Sequence, residues 1–272
     1  MPELPEVEVV RRMLEPALRG ARFRRVIVNR PNLRIDFPAR FAERLCGRTA
    51  QDVTRRGKYL LIPLSSAETL IMHLGMSGWV HVAPIGDRTR EVDPHDHVVF
   101  MMSSGMSVVF NDPRRFGFMD LAAVGRLEDY PALRAMGPEP LSADFDGAAL
   151  ARACRGKSAA IKTTLLDQRV VAGLGNIYAS EALHHARISP LRKASSIATA
   201  SGKPRKRAVE LAASIKVVLR RAIERSESPY RAGRFRVYER EDSPCLRKDC
   251  KGVVRRITQG ARSTFYCPVC QR

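Results

Sequence analysis

Four cysteines crowd into the last 28 residues of this 272-residue chain, as "CLRKDC" at 245–250 and "CPVC" at 267–270. Two knuckles spaced C-x4-C and C-x2-C, with sixteen residues between them, can bring four thiolates into a tetrahedron around Zn²⁺ at ~2.3 Å each, the closed geometry of a structural site. Cys245, Cys250, Cys267 and Cys270 are the expected ligands, and one structural Zn²⁺ the expected cofactor. Cys46 and Cys154 read as small buried hydrophobes. Metal binding of this kind is worth ~10–16 kcal/mol in isolated finger peptides, enough to fold a segment with almost no core. Zinc gives no reason for Arg255, Arg256 and Arg262 between the pairs; guanidinium forks at that density suit phosphate.

The opening "MPELPEVEVV" offers a second chemistry. It lacks the positive charge and long apolar stretch of a targeting peptide, so these residues are expected in the mature protein, with or without Met1. Removal of Met1, which a small second residue permits, leaves Pro2 with a free secondary amine. An α-amino group titrates near ~7.7–8.0, far below lysine, so part of it is nucleophilic at neutral pH. It can attack a sugar C1′ and form an iminium, as a Schiff-base lysine does, while the neighbouring carboxylates move protons. The same residues also read as an ordinary helix start, with Pro2 in the first turn and Glu3, Glu6 and Glu8 complementing the helix dipole.

The elements that must position these groups change type along the chain. Val7, Val10, Leu14 and Leu18 recur at helical spacing, which predicts an amphipathic helix from Glu3 to about Leu18, closed by Gly20. From Phe23 to about Val124 short β-rich runs follow ("FRRVIVN", "YLLIPL", "TLIMHL", "HVVFMM", "SVVF", "FGFMDL"), the pattern of an antiparallel sandwich or barrel. Residues 125–146 are rich in Pro, Gly and Asp and read as an interdomain boundary. Helical spacing then returns, with Asp146 capping "GAALARAC", Ser158 capping "AAIKTTLLDQ", and a longer helix over Leu211, Ile215, Val218, Leu219 and Ala222. "SGKPRKR" at 201–207 reads as a solvated linker, and the chain's end as two short strands carrying the cysteine pairs.

Charge is divided as sharply. The net +19 splits into 20 Lys and Arg against 19 Asp and Glu over residues 1–146, and 27 against 9 over residues 147–272. A field so concentrated in one half favours a polyanion, nucleic acid above all. No apolar run approaches the ~18 residues of a membrane span, and clustered cysteines without a signal peptide favour metal in a reducing compartment over disulfides.

Six segments, "PELPEVE" at 2–8, "GKYLL" at 57–61, "HLGMSG" at 73–78, "NDPRRFG" at 111–117, "GLGNIYASEAL" at 173–183 and "GARSTFYCPVCQ" at 260–271, together resemble bacterial formamidopyrimidine-DNA glycosylase, in the family's order and over nearly the whole chain. The resemblance implies an α+β fold: an N-terminal helix and β-sandwich (residues 1–135), a helix-two-turns-helix bundle (136–235) and a zinc-finger hairpin (236–272), with damaged double-stranded DNA in the cleft between the first two parts. It implies Pro2 as the nucleophile at C1′, Glu3 as the acid-base group, Lys58 for phosphate contact and β-elimination, and Arg262 for δ-elimination. Met76, Arg114 and Phe116 match the wedge that fills the hole left by an extruded base, although core packing and a loop ion pair are the simpler readings of each alone. His95, Lys157 and Asn176 match DNA contacts; alone they read as a strand-face residue, a solvated charge and a helix cap, and a helix start suits phosphate. His73, His81, His184 and His185 read as structural. A monomer in a bacterial cytoplasm, nucleoid-associated through DNA, is the expected setting.

Two departures stand out. The first knuckle is C-x4-C where the family usually has C-x2-C, and "ERSESPYRAGRFRVYER" at 224–240 is shorter than the family's Gly-rich loop over the flipped base, which predicts weakened recognition of 8-oxoguanine relative to formamidopyrimidines or abasic sites. The sister glycosylase for oxidised pyrimidines usually begins Pro-Glu-Gly-Pro and lacks the wedge, so Leu4, Met76, Arg114 and Phe116 oppose it. A zinc-dependent DNA binder without catalysis would have no use for Pro2, Glu3 and Lys58 together.

Overall fold

The computed structural model describes residues 2–87, 89–123, 125–225 and 235–272, and the chain divides between Arg134 and Ala135 into two compact units. The 226–234 part of the shortened segment lies outside the described residues. In the first unit α1 (Leu4–Leu18) is followed by β1 (Phe23–Val28), α2 (Phe41–Leu45), β2 (Thr54–Arg56), β3 (Tyr59–Pro63), β4 (Thr69–His73), β5 (Trp79–Pro84), β6 (Asp96–Met102), β7 (Met106–Asn111), β8 (Phe118–Ala122) and α3 (Pro131–Arg134). Two antiparallel sheets, ordered β1-β6-β7-β5 and β2-β3-β4-β8, share one core in which Phe23, Phe100, Phe110, Leu60, Ile62 and Met72 are sealed from solvent. The sandwich is the one the period-2 runs predict; β2 (TRR) and β5 (WVHVAP) carry polar or half-exposed positions, which is why apolar runs alone do not reveal them.

The opening helix begins one residue later than its periodicity suggests. Glu3 is the N-cap, with extended backbone, and its N–H donates to the Glu6 carboxylate at 2.8 Å, a capping-box bond. Pro5, not Pro2, takes the first-turn position, so Pro2 precedes the helix. Val7, Val10, Leu14 and Leu18 are buried as spaced, and this face seats α1 against β2, β3, β5 and β7.

The second unit holds α4 (Gly147–Cys154), α5 (Ile161–Leu165), α6 (Asn176–His185), a 3-10 turn (Ala194–Ile197), α7 (Lys206–Arg225), β9 (Arg255–Gln259) and β10 (Arg262–Tyr266). Asp146 caps α4, accepting the Ala149 N–H at 2.7 Å. Ser158 does not cap α5: the N-cap is Ala160, without a side-chain bond. The strands carry no cysteine. β9 and β10 form a hairpin between the two knuckles, closed by Gly260 and Ala261, both at positive φ (54° and 58°), as a two-residue hairpin turn of right-handed twist requires.

Candidate active site and metal centre

In the first unit the side chains singled out by sequence rest on two networks. The first begins at Glu8, in the second turn of α1. Its carboxylate holds Arg11 at 3.2 Å, Arg12 at 3.0 Å and Arg55 of β2 at 3.2 Å. Burial alone would raise its pKa, yet the bond from Arg12 and the charges of Arg11 and Arg55 outweigh it and hold the carboxyl below its usual value. Arg55 then donates from Nη1 to the Gly57 carbonyl at 2.9 Å, in the two-residue Gly57-Lys58 connection between β2 and β3. One guanidinium thereby ties the helix that follows Pro2 and Glu3 to the turn that carries Lys58. Glu3 is 1% exposed, whereas Pro2 and Lys58 are half-buried.

The second network centres on Asp112, fully buried at the end of β7. Its carboxylate accepts from Ser77 Oγ at 2.5 Å and from the Gly117 N–H at 2.7 Å, while Ser77 Oγ accepts the Arg114 N–H at 3.3 Å. Its own N–H donates to the His95 carbonyl at 3.1 Å, and its carbonyl lies 2.9 Å from His97 Nε2. Met76, His95, Arg114 and Phe116 are thus presented by loops knotted at one aspartate, which sequence reasoning passed over although it lies inside "NDPRRFG". Met76 and Phe116 are 41% and 40% exposed, so the core reading of these two residues is wrong. Arg114 lies over the Phe116 ring at 4.7 Å, a cation–π contact, rather than in a loop ion pair. Gly75, at φ 61°, is obligatory: a Cβ there would sit 2.2 Å from the Phe116 carbonyl carbon.

Removing Asp112 by Asp112→Ala strands the Gly117 N–H and the Ser77 hydroxyl. Unsatisfied buried donors cost ~1–3 kcal/mol each, so urea unfolding is expected to lose ~3 kcal/mol, with Asp112→Asn losing less. An unchanged midpoint for the alanine variant would contradict the network.

His73, at the end of β4, stacks on Phe118 (5.4 Å) and lies beside Tyr59 (4.8 Å). Its Nδ1 accepts the Gly75 N–H at 3.0 Å, which requires the neutral ring. Burial, then the cations Lys58 and Arg34, pull its pKa down to about 4. A base depressed on folding is stabilising above its unfolded pKa of ~6.5, and that stability is lost as pH falls from there through about 4. Thermal unfolding of wild type is expected to drop over this window. His73→Asn, whose Oδ1 can take the Gly75 N–H without titrating, should flatten the drop; equal slopes would refute the assignment.

In the second unit Lys157 is exposed beyond α4. Asn176 is the first residue of α6, and the cap is Gly175. The Asn176 side chain is an internal brace: Oδ1 accepts from Lys162 Nζ at 2.5 Å and Nδ2 donates to the Ser263 carbonyl at 2.9 Å. Lys162, fully buried, is a residue that sequence reading missed; a lysine in an apolar helix carries no signal until its partner is seen. Ser263 adjoins Arg262, which is exposed at the hairpin tip and has no acidic partner among the described residues. Arg255 and Arg256 instead face Asp242 and Glu241 at 3.8 and 3.6 Å, exposed pairs of little energetic weight.

The four finger cysteines offer sulfur atoms all within 4.8 Å of one another. Tetrahedral zinc at ~2.3 Å from each sulfur separates them by ~3.8 Å. Cys245 and Cys270 are 3.9 Å apart and Cys250 and Cys267 3.6 Å apart, so the wide C-x4-C knuckle closes and the set fits one zinc ion. Burial would otherwise keep Cys270 a thiol up to about 12; a dication shared by four thiolates displaces that proton. The Gly252 N–H, 3.4 Å from Cys250 Sγ, lowers that thiol's pKa.

A sandwich unit whose loops are tied to one aspartate and a helical unit ending in a hairpin between two cysteine knuckles define a two-unit zinc-finger class of protein. Three family models match in that order: the formamidopyrimidine-DNA glycosylase N-terminal domain over residues 1–119, its H2TH domain over 136–232, and the zinc finger found in FPG and IleRS over 242–272. Among curated relatives, formamidopyrimidine-DNA glycosylases of Rhodopseudomonas palustris and Methylocella silvestris are 51% and 50% identical, each over the full length of both chains. Among solved structures, Lactococcus lactis formamidopyrimidine-DNA glycosylase non-covalently bound to abasic-site DNA superposes with a TM-score of 0.86 at 31% identity over 99% of both chains. MutM in complex with DNA containing carbocyclic 8-oxoguanine reaches 0.86 at 32% over 100% of both. The chain belongs to the formamidopyrimidine-DNA glycosylase family. No helix is long and apolar enough to cross a membrane among the described residues.

Proposed function

We propose that this chain excises oxidised purines, formamidopyrimidines and 8-oxoguanine, from double-stranded DNA and then cleaves the strand at the abasic site. The observation that carries the reading is the Arg55 bridge from Glu8 on α1 to the Gly57 carbonyl, which sets the start of α1 in a fixed relation to the Lys58 turn. With Met1 removed, the Pro2 nitrogen attacks C1′ and displaces the damaged base. Glu3 moves the proton at the sugar as the ring opens to an iminium. Lys58 contacts phosphate and assists β-elimination; Arg262 holds the phosphates through δ-elimination, leaving a one-nucleotide gap with phosphates at both ends. Met76, Arg114 and Phe116 fill the vacated stack, with Arg114 facing the orphaned base. His95, Lys157 and the helix start at Asn176 bind backbone. Zinc, held by the four cysteines, keeps the hairpin that carries Arg262 folded.

The working boundaries are a catalytic part at 1–135, a helical DNA-binding part at 136–235 and the finger at 236–272, in a monomer acting on the nucleoid of a bacterial cytoplasm. The segment at 224–240, short against its family counterpart, carries the expectation of a preference for formamidopyrimidines and abasic sites over 8-oxoguanine. Borohydride reduction during turnover on each duplex tests both points. A covalent protein-DNA conjugate is expected on all three, with 8-oxoguanine slowest. No conjugate on any would end the proposal, and 8-oxoguanine excision equal to that of a full-loop relative would end the loop argument.

A further inference from the structure

We propose that His184 is an outer-sphere hydrogen-bond donor to the metal-bound thiolate of Cys245, and that with Arg247 it latches α6 to the wide zinc knuckle. His184 sits in the last turn of α6, 1% exposed, with Nε2 3.4 Å from Cys245 Sγ. A zinc-bound thiolate carries no proton and can only accept, so the ring proton lies on Nε2. Arg247 belongs to the four-residue span between Cys245 and Cys250. It donates from Nη2 to the carbonyl of His184 at 2.7 Å, which also takes the Arg187 N–H at 3.2 Å, and to that of His185 at 3.2 Å, and so sets a cation against the negative end of the helix. The arginine that grips the helix thus lies within the C-x4-C span itself.

The same helix meets the finger segment along its whole length. Its first residue, Asn176, holds the Ser263 carbonyl beside Arg262. In its middle, the Glu181 carboxylate takes the N–H groups of Arg236, Val237 and Tyr238 at 2.8–3.0 Å. At its end the imidazole reaches a metal ligand. Zinc occupancy at the knuckle and placement of the hairpin tip are therefore properties of one strut. Donors to coordinating sulfur disperse the excess negative charge of a tetrathiolate site, and loss of an outer partner typically costs 10–100-fold in metal affinity.

The inference rests on the zinc assignment, and the test separates the two. In full-length protein loaded with cobalt, a thiolate-to-metal charge-transfer band is expected; its absence refutes the metal site itself. His184→Phe keeps a ring and removes the donor. The band should move to lower energy, and zinc should pass to a chromophoric chelator at least ~10-fold faster, with His184→Gln restoring part of both. A Phe variant with wild-type band and release rate overturns the latch. Should that variant fail to fold, wild-type protein loaded with an NMR-active cadmium isotope decides: the His184 Nε2 proton is expected to couple to cadmium through the sulfur, and a resolved ring proton without coupling overturns the proposal.

Discussion

Protein that retains a blocked residue ahead of Pro2 is expected to give no borohydride conjugate on damaged duplex while still binding that DNA. Inside a chain the proline nitrogen is a tertiary amide, whose lone pair is delocalised into the carbonyl. At the chain's first position it is an amine, with roughly a tenth unprotonated at pH 7. Because Pro2 precedes α1 and Glu3 is the cap, blocking the amine leaves the capping bond and the Glu8–Arg55 bridge intact, and the loops around Asp112 are untouched. Affinity should therefore survive while the conjugate disappears. Pro2→Gly separates the amine from the ring: its primary amine still forms an imine, more slowly, without the rigidity of the pyrrolidine. Conjugation rates in wild type should rise with pH toward ~8 and level off. A full yield from the blocked protein would move the nucleophile to a lysine, with Lys58 the first to examine.

Why that experiment can be designed from residue types alone, while others cannot, follows from the distance over which each signal acts. The helix before the sandwich, the strands with apolar runs and the four-cysteine set were legible because their information is local: a period, a run, a pair of spacings. The family motifs singled out Met76, Arg114 and Phe116 together, and the geometry sets aside the core and ion-pair alternatives: both apolar side chains are exposed and Arg114 lies over the Phe116 ring. What local pattern does not contain is the partner across the fold. Asp112 bonds to Ser77 thirty-five residues away, Lys162 donates to an amide oxygen fourteen residues on, and His184 meets Cys245 across sixty-one. Each polar group looks ordinary until its opposite number is known, since burial without a partner would be prohibitive. Strands β2 and β5 escaped for a related reason: edge and half-exposed strands are held by pairing rather than by an apolar run.

Stripping the metal is expected to unfold the finger and leave the sandwich standing. The buried apolar cluster of the finger consists of Val237, Val254 and Phe265, with Tyr238 packed against it; at ~1.5–3 kcal/mol per buried side chain this contributes less than the ~10–16 kcal/mol that zinc supplies in comparable fingers. The first unit keeps a core of its own. Treatment with a strong chelator, or Cys267→Ser at a fully buried ligand, should therefore abolish hydrogen-exchange protection along β9 and β10 and leave that of β3, β4, β6 and β7. With the hairpin unfolded, Ser263 releases Asn176, and the Glu181 carboxylate loses the N–H groups of 236–238 that make its burial tolerable, so protection should also fall in α6. On abasic DNA the loss should concentrate on the step assigned to Arg262, with residual product retaining the sugar fragment that δ-elimination would remove. Retained protection in the hairpin after verified metal removal would mean that the finger folds on its own core, and the argument from its small size would fail.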